Sequence, residues 1–158
     1  MWTNENQTNA SLIIVSGLPR SGTSMMMKML GQGGLPILSD GIRQPDESNP
    51  EGYYEYEGVK QLEQNSKWLE TAQGKCTKVV SIFLHHLPPH YKYKIIFMER
   101  DLREIAESQN RMILKQKGKN PNISSHVLIK KYKSHLTQVH NWLERQEHME
   151  CLFINYNN

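Results

Sequence analysis

Cysteine is scarce in this chain. Cys76 and Cys151 are the two cysteines among 158 residues, and they lie too far apart to suggest a metal-binding pair or a disulfide scaffold. Both are expected as reduced thiols in or near the core. Long apolar runs are missing too. Nothing approaches the roughly 18 consecutive apolar residues of a membrane span, so no membrane association is expected. The first eleven residues are rich in Asn and Thr, with Glu5 as their one charge. They lack the basic start and apolar centre of a secretory signal, and a cytoplasmic location is expected. An excess of one charge is also nearly absent. Nineteen Lys and Arg against 16 Asp and Glu leave a formal net charge of +3. With the basic residues spread rather than blocked, a nucleic-acid partner is not expected. A mild positive balance suits a small anionic ligand. There is no internal repeat or low-complexity linker, and the length fits one domain with one core.

What is present is an alternation of short apolar runs with amphipathic stretches. Residues 12–16 (LIIVS) form a β-branched run that stops at Gly17, as a buried strand would. Residues 17–22 form a turn-rich loop. Residues 24–30 (SMMMKML) favour helix and stop at Gly31, with Gly33 and Gly34 beyond. Methionines 25, 26, 27 and 29 are expected in the core. Residues 39–57 are loop-like, holding Pro45, Pro50 and Gly52. A helix is expected over residues 58–69, with Val59, Leu62 and Leu69 on one side. Residues 78–83 (KVVSIF) and 94–98 (KIIFM) read as the second and third strands, with a Pro-broken turn over 85–90 between them. Asp101 is a good N-cap, and Glu104 three residues on predicts a capping box. That helix is stopped by Gly118 and Pro121. A long helix is expected over about 124–145, striped by Leu128, Tyr132, Leu136, Val139 and Leu143. Residues 151–154 (CLFI) read as a fourth strand. Strands alternating with helices predict an α/β fold: three α/β/α layers with a mostly parallel central sheet. In such sheets ligands bind at the carboxyl ends of the strands. Both the 17–22 loop and the Glu99-Arg100-Asp101 junction are placed there.

Residues 17–24, GLPRSGTS, carry the most chemistry. They have the two glycines of a phosphate loop at Walker spacing. Backbone amides there, with the positive end of the following helix, can cradle an oxyanion. The Walker lysine is absent: Thr23 occupies its position, and Arg20 is the loop's one cation. A nucleoside-triphosphate enzyme normally needs that lysine on its phosphates. Pro19-Arg20-Ser21-Gly22-Thr23-Ser24 after an apolar strand resembles the 5′-phosphosulfate loop of sulfotransferases. A sulfuryl group carries less charge than a terminal phosphate, and amides, hydroxyls and one cation can hold it.

The resemblance extends to a second anchor. Arg100 ends the third strand and Ser108 lies eight residues on, a spacing similar to that of the family's 3′-phosphate site. Taken alone, the pair also reads as a surface arginine beside an N-cap with an incidental serine. The resemblance implies a P-loop NTPase-like fold over residues 11–158, after a flexible segment over 1–10. Family members usually continue past Tyr156 into a further helix and a loop that closes over the donor. The implied donor is 3′-phosphoadenosine 5′-phosphosulfate, giving adenosine 3′,5′-bisphosphate, with no metal required. Arg20, Ser21, Gly22, Thr23, Ser24, Arg100 and Ser108 would hold it. A small-molecule or carbohydrate hydroxyl or amine is the implied acceptor. Lys78 would touch the bridging oxygen or the sulfuryl group.

Two residues could take the acceptor's proton. His86, in His85-His86-Leu87-Pro88-Pro89, resembles the base of cytosolic sulfotransferases, although Leu84 stands where that family has a lysine. Glu55, in Gly52-Tyr53-Tyr54-Glu55, resembles the carboxylate base of carbohydrate-type enzymes; Asp40, Asp46 and Glu47 share its loop. A kinase or NTPase, and a nucleotide-binding module without catalysis, are the competing functions.

Overall fold

The computed structural model describes residues 11–118 and 123–157. The expected flexible segment over residues 1–10, and Pro121 of the expected helix stop, lie outside them. Five parallel strands form one sheet in the order β2-β3-β1-β4-β5. They are β1 Leu12–Gly17, β2 Ile37–Leu38, β3 Cys76–Lys78, β4 Tyr93–Glu99 and β5 Met149–Asn155. The helices are α1 Thr23–Gln32, α2 Leu69–Ala72, α3 Leu102–Lys117 and α4 Ser125–Leu143. The fold is a three-layer α/β fold of the P-loop-like kind.

Alternation along the strands builds two cores, one on each face. Leu12 and Ile14 of β1, with Tyr93, Ile95 and Phe97 of β4, face Val139 and Leu143 of α4. Val15 of β1, Cys76 and Met98 face Met26 and Met27 of α1, with Ile13 and Ile96 packed alongside. Each such side chain stabilises by roughly 1.5–3 kcal/mol on full burial. Cys76 is buried, Cys151 is half-buried, and both are free thiols. Met25 and Met29 depart from the expected core and are exposed. Among the described residues no helix is long and apolar enough to cross a membrane.

Three elements differ from expectation for identifiable reasons. The helix over 58–69 is broken into a 3-10 turn, Glu57–Gln61, and the short α2. Val59, Leu62 and Leu69 are buried as the pattern requires. However, the Asn65 side chain accepts from the Lys67 amide at 3.1 Å, a local turn that competes with the helical backbone. The strand over 78–83 ends at Lys78, and Ser81–His86 forms a second 3-10 turn. Its last sheet bond runs from the Val79 amide to the Val15 carbonyl; β3 leaves the sheet there, while β1 stays paired with β4 through Gly17. At α3, Asp101 caps as expected, accepting from the Arg103 and Glu104 amides. The return half of the capping box is absent, because the Glu104 carboxylate binds Arg100 and Asn157 instead. The short β2 is an extra element that the apolar pattern does not single out.

Candidate active site

The loop between β1 and α1 turns on three residues of positive φ: Gly17 at 139°, Arg20 at 72° and Gly22 at 102°. Gly17 lies against β4. A Cβ there would come within 2.6 Å of the Met98 carbonyl and of Ser21 Oγ. Strain at such φ and forced overpacking each cost about 1–3 kcal/mol. Gly17→Ala is therefore expected to destabilise the fold by roughly 2–4 kcal/mol, read as a lowered urea midpoint. An unchanged midpoint would show that the loop does not depend on this close approach.

Gly22 caps α1 with no side-chain hydrogen bond. The first-turn amides are thus left for an anion, reinforced by the helix dipole. Ser21 is fully buried and its hydroxyl has no partner, which suits a donor waiting for an acceptor oxygen. Arg20 reaches away from the loop: its Nε donates to Ser108 Oγ at 2.9 Å and its terminal nitrogen to the Ser48 carbonyl at 2.9 Å. Arg100 donates to the Arg20 carbonyl at 3.2 Å and pairs with Glu104 at 2.8 Å. Its guanidinium stacks 4.4 Å from the Tyr156 ring centroid. The Arg100 and Asn157 hydrogen bonds hold the Glu104 carboxyl below its ordinary range.

Lys78, at the carboxyl end of β3, is buried beside the loop. Its Nζ donates to Ser24 Oγ at 3.1 Å and to the Tyr53 carbonyl. Burial lowers its pKa to about 8; Glu55 opposes that shift, while Arg43 and Arg20 add to it. Residues 46–55 cross over the phosphate loop as a strap. Asn49 donates to Ser24 Oγ at 3.1 Å, Ser24 donates to the Tyr53 carbonyl at 3.3 Å, and Lys28 pairs with Glu51. Glu55, at the strap's end, pairs with Arg43 at 2.8 Å. Arg43 in turn lies 3.5 Å over the Tyr53 ring, whose hydroxyl donates to Asp46 at 2.8 Å. That hydroxyl bond is the main cause of a lowered Asp46 pKa.

A cavity of about 310 Å³ opens among these groups, with Arg20, Thr23, Ser24, Lys78 and Arg100 on its wall. Ser21 and Ser108 are buried and do not line it; Ser108 touches the lining residue Arg20. A second cavity of about 420 Å³, lined by Tyr56, Val59, Lys60, Phe83 and Gln116, shares Arg43, Glu55, Lys78 and Val80 with the first. The structure therefore brings Arg20, Gly22, Thr23, Ser24, Glu55, Lys78 and Arg100 to one place. It does not bring His86 there: His86 closes the second 3-10 turn, its ring 3.9 Å from that of His85. Asp40 is also engaged elsewhere, accepting from the Glu57 and Ile42 amides.

The family model described as a sulfotransferase domain matches residues 11–158, from the first strand through the last. The chain belongs to the sulfotransferase domain family. Membership carries sulfuryl transfer as the general chemistry. No curated protein matches the chain. A crystal structure of an uncharacterized protein from Eubacterium ventriosum ATCC 27560 is similar at 12% identity, covering 93% of this chain and 90% of that one, with a TM-score of 0.32. The fold assignment rests instead on the sheet and the family match.

Several residues lining the cavity of this sulfotransferase-family chain carry no sequence signal. Arg43, Asn49 and Tyr156 reach the cavity only through tertiary packing. Tyr156 covers Gly22, where a Cβ would meet its ring at 2.6 Å. Exposed Arg111 is 3.9 Å from Glu107, a solvated pair outside the site.

Proposed function

We propose that this sulfotransferase takes its sulfuryl group from 3′-phosphoadenosine 5′-phosphosulfate and passes it to a hydroxyl or amine of a small-molecule or carbohydrate acceptor. The observation that carries this reading is the convergence of Arg20, Ser24, Lys78 and Arg100 on one cavity. The phosphosulfate binds at the start of α1, held by the amides of 22–24 and the hydroxyls of Ser21, Thr23 and Ser24. Arg20 supplies charge beside it. Arg100 and Ser108 take the 3′-phosphate; Ser108 accepts from Arg20 and keeps its own O–H to donate. The acceptor enters the second cavity. As its oxygen or nitrogen bonds to sulfur, the sulfur–oxygen bond to the 5′-phosphate breaks, the acceptor proton passes to Glu55, and adenosine 3′,5′-bisphosphate leaves. Lys78 offsets charge on the departing phosphate oxygen. Glu55 is preferred to His86 as the base because it lines both cavities.

Calorimetric titration with adenosine 3′,5′-bisphosphate and ATP, without metal, tests the reading. Bisphosphate is expected to bind at least about tenfold tighter, since roughly 1.4 kcal/mol from one anion contact suffices. An equal or stronger preference for ATP would sink it. The pH dependence follows from Lys78. With a pKa of about 8, it is almost fully protonated at pH 6 and roughly one-tenth protonated at pH 9. A bound anion favours the charged form. Binding should therefore take up close to one proton at pH 9, and progressively less as the pH falls and Lys78 is already charged. Comparing heats in two buffers of different ionisation enthalpy measures this.

A further inference from the structure

The Tyr53 carbonyl sits in an unusual place for a loop carbonyl. It accepts from Lys78 Nζ and from Ser24 Oγ, so an ammonium and a hydroxyl at the mouth of the phosphate loop both converge on one neutral oxygen. Ser24 has no capacity left: its O–H goes to Tyr53, and its oxygen accepts from Lys78 and Asn49. An anion that needs Ser24 and Lys78 must displace this carbonyl.

The backbone beside it is strained in a way that fits such a displacement. Tyr54 has φ of 52°, a left-handed conformation that L-residues other than Gly, Asn and Asp seldom adopt. Gly52 on the other side has φ of 97°. Rotating the single peptide between Tyr53 and Tyr54 by about half a turn would carry Tyr54 from positive to negative φ, the range that L-residues ordinarily occupy. It would also swing the carbonyl away from Lys78 and Ser24, with little movement of the flanking chain. Glu55 stays where the Asp40 amide and Arg43 hold it.

We propose that the Tyr53–Tyr54 peptide is a two-position switch whose inward carbonyl stands in for an anion oxygen and whose outward rotation opens the oxyanion site. The driving difference is chemical. The Lys78 ammonium already makes a charge-assisted bond to the carbonyl, but a phosphosulfate or phosphate oxygen adds the attraction of opposite charges that a neutral carbonyl lacks; such an oxygen therefore displaces the carbonyl, and the relief of Tyr54 adds to the exchange. That the oxyanion belongs to the phosphosulfate donor rests on the donor reading above; the switch itself requires only an oxyanion.

Two substitutions of similar size bias the switch in opposite directions. Tyr54→Asn tolerates positive φ and holds the carbonyl inward. Tyr54→Val disfavours positive φ and turns it out. Both lose the ring, so that loss cancels in the comparison. Titrated with inorganic pyrophosphate and separately with adenosine 3′,5′-bisphosphate, Tyr54→Val is expected to bind each roughly tenfold tighter than Tyr54→Asn. Thermal midpoints confirm folding first, and Tyr54→Thr against Tyr54→Gly repeats the comparison if either variant is unfolded. Equal affinities in the two variants would overturn the switch while leaving the donor reading intact. A tenfold separation for pyrophosphate with no bisphosphate binding would keep the switch and remove the donor reading. Absence of binding by any anion would end both.

Discussion

Arg20→Ala and Arg100→Ala are each expected to weaken adenosine 3′,5′-bisphosphate binding by about 10²-fold. The size follows from what each guanidinium offers. A charge-assisted hydrogen bond is worth roughly 1.5–3 kcal/mol, and every 1.4 kcal/mol is tenfold in affinity. The effects should not add. Arg20 bonds Ser108 of the second anchor, while Arg100 bonds the Arg20 carbonyl, so the double variant measures one coupled unit. The two substitutions also differ in kind. Pyrophosphate has no 3′-phosphate to lose, so Arg100→Ala should affect it much less than bisphosphate, whereas Arg20→Ala should weaken both. Arg100 also carries the Glu104 pair and the Tyr156 stack. Arg100→Lys separates charge from shape: it keeps the cation and loses the planar fork, so intermediate binding is expected. Wild-type affinity in both alanine variants would remove the site assignment altogether.

The parts of this site that were legible in the sequence are those set by local chemistry. A β-branched run, two glycines and a helix-forming stretch place the oxyanion loop because each element is fixed by its neighbours in the chain. Asp101 caps α3 for the same reason. Arg100 and Ser108 do not touch each other; each meets Arg20, through its carbonyl and its side chain, a link that their spacing does not reveal. What was not legible depends on contacts distant in sequence. KVVSIF reads as a strand, since an apolar run has no period to mark where pairing stops; in the fold only Lys78 of it is in β3, and a 3-10 turn follows from Ser81. The break at Asn65 lies in a side-chain hydrogen bond that competes with a helix whose buried side is otherwise correct. Residues 39–57 read only as a loop. Their role as a strap depends on Ser24, Lys28 and Lys78 on other elements, and Arg43 gains its place by resting on Tyr53 and pairing with Glu55.

That pairing leads to the second large effect. Glu55→Gln is expected to lower kcat by about 10²–10⁴, the range for losing a general base, while leaving the bisphosphate dissociation constant within about twofold. The split is the informative part. Gln keeps the size of Glu and an oxygen that can accept from Arg43, so the strap and both cavities should persist; only the capacity to take a proton is lost. Arg43 sharpens the argument. With Glu55 ionised, the pair at 2.8 Å is neutral. Once Glu55 holds the acceptor's proton, the Arg43 charge is uncompensated on the wall shared by the two cavities, where the anionic sulfuryl group passes from donor to acceptor. A base paired in this way supplies a cation as it takes up the proton, and it does so only in the transfer step. The measurement is single-turnover release of bisphosphate from the phosphosulfate donor across a panel of phenols, alcohols and amines. His86→Ala run alongside should keep wild-type rates, because His86 lines neither cavity. A collapse in His86→Ala with normal turnover in Glu55→Gln would transfer the base to the histidine and require the second 3-10 turn to swing into the site.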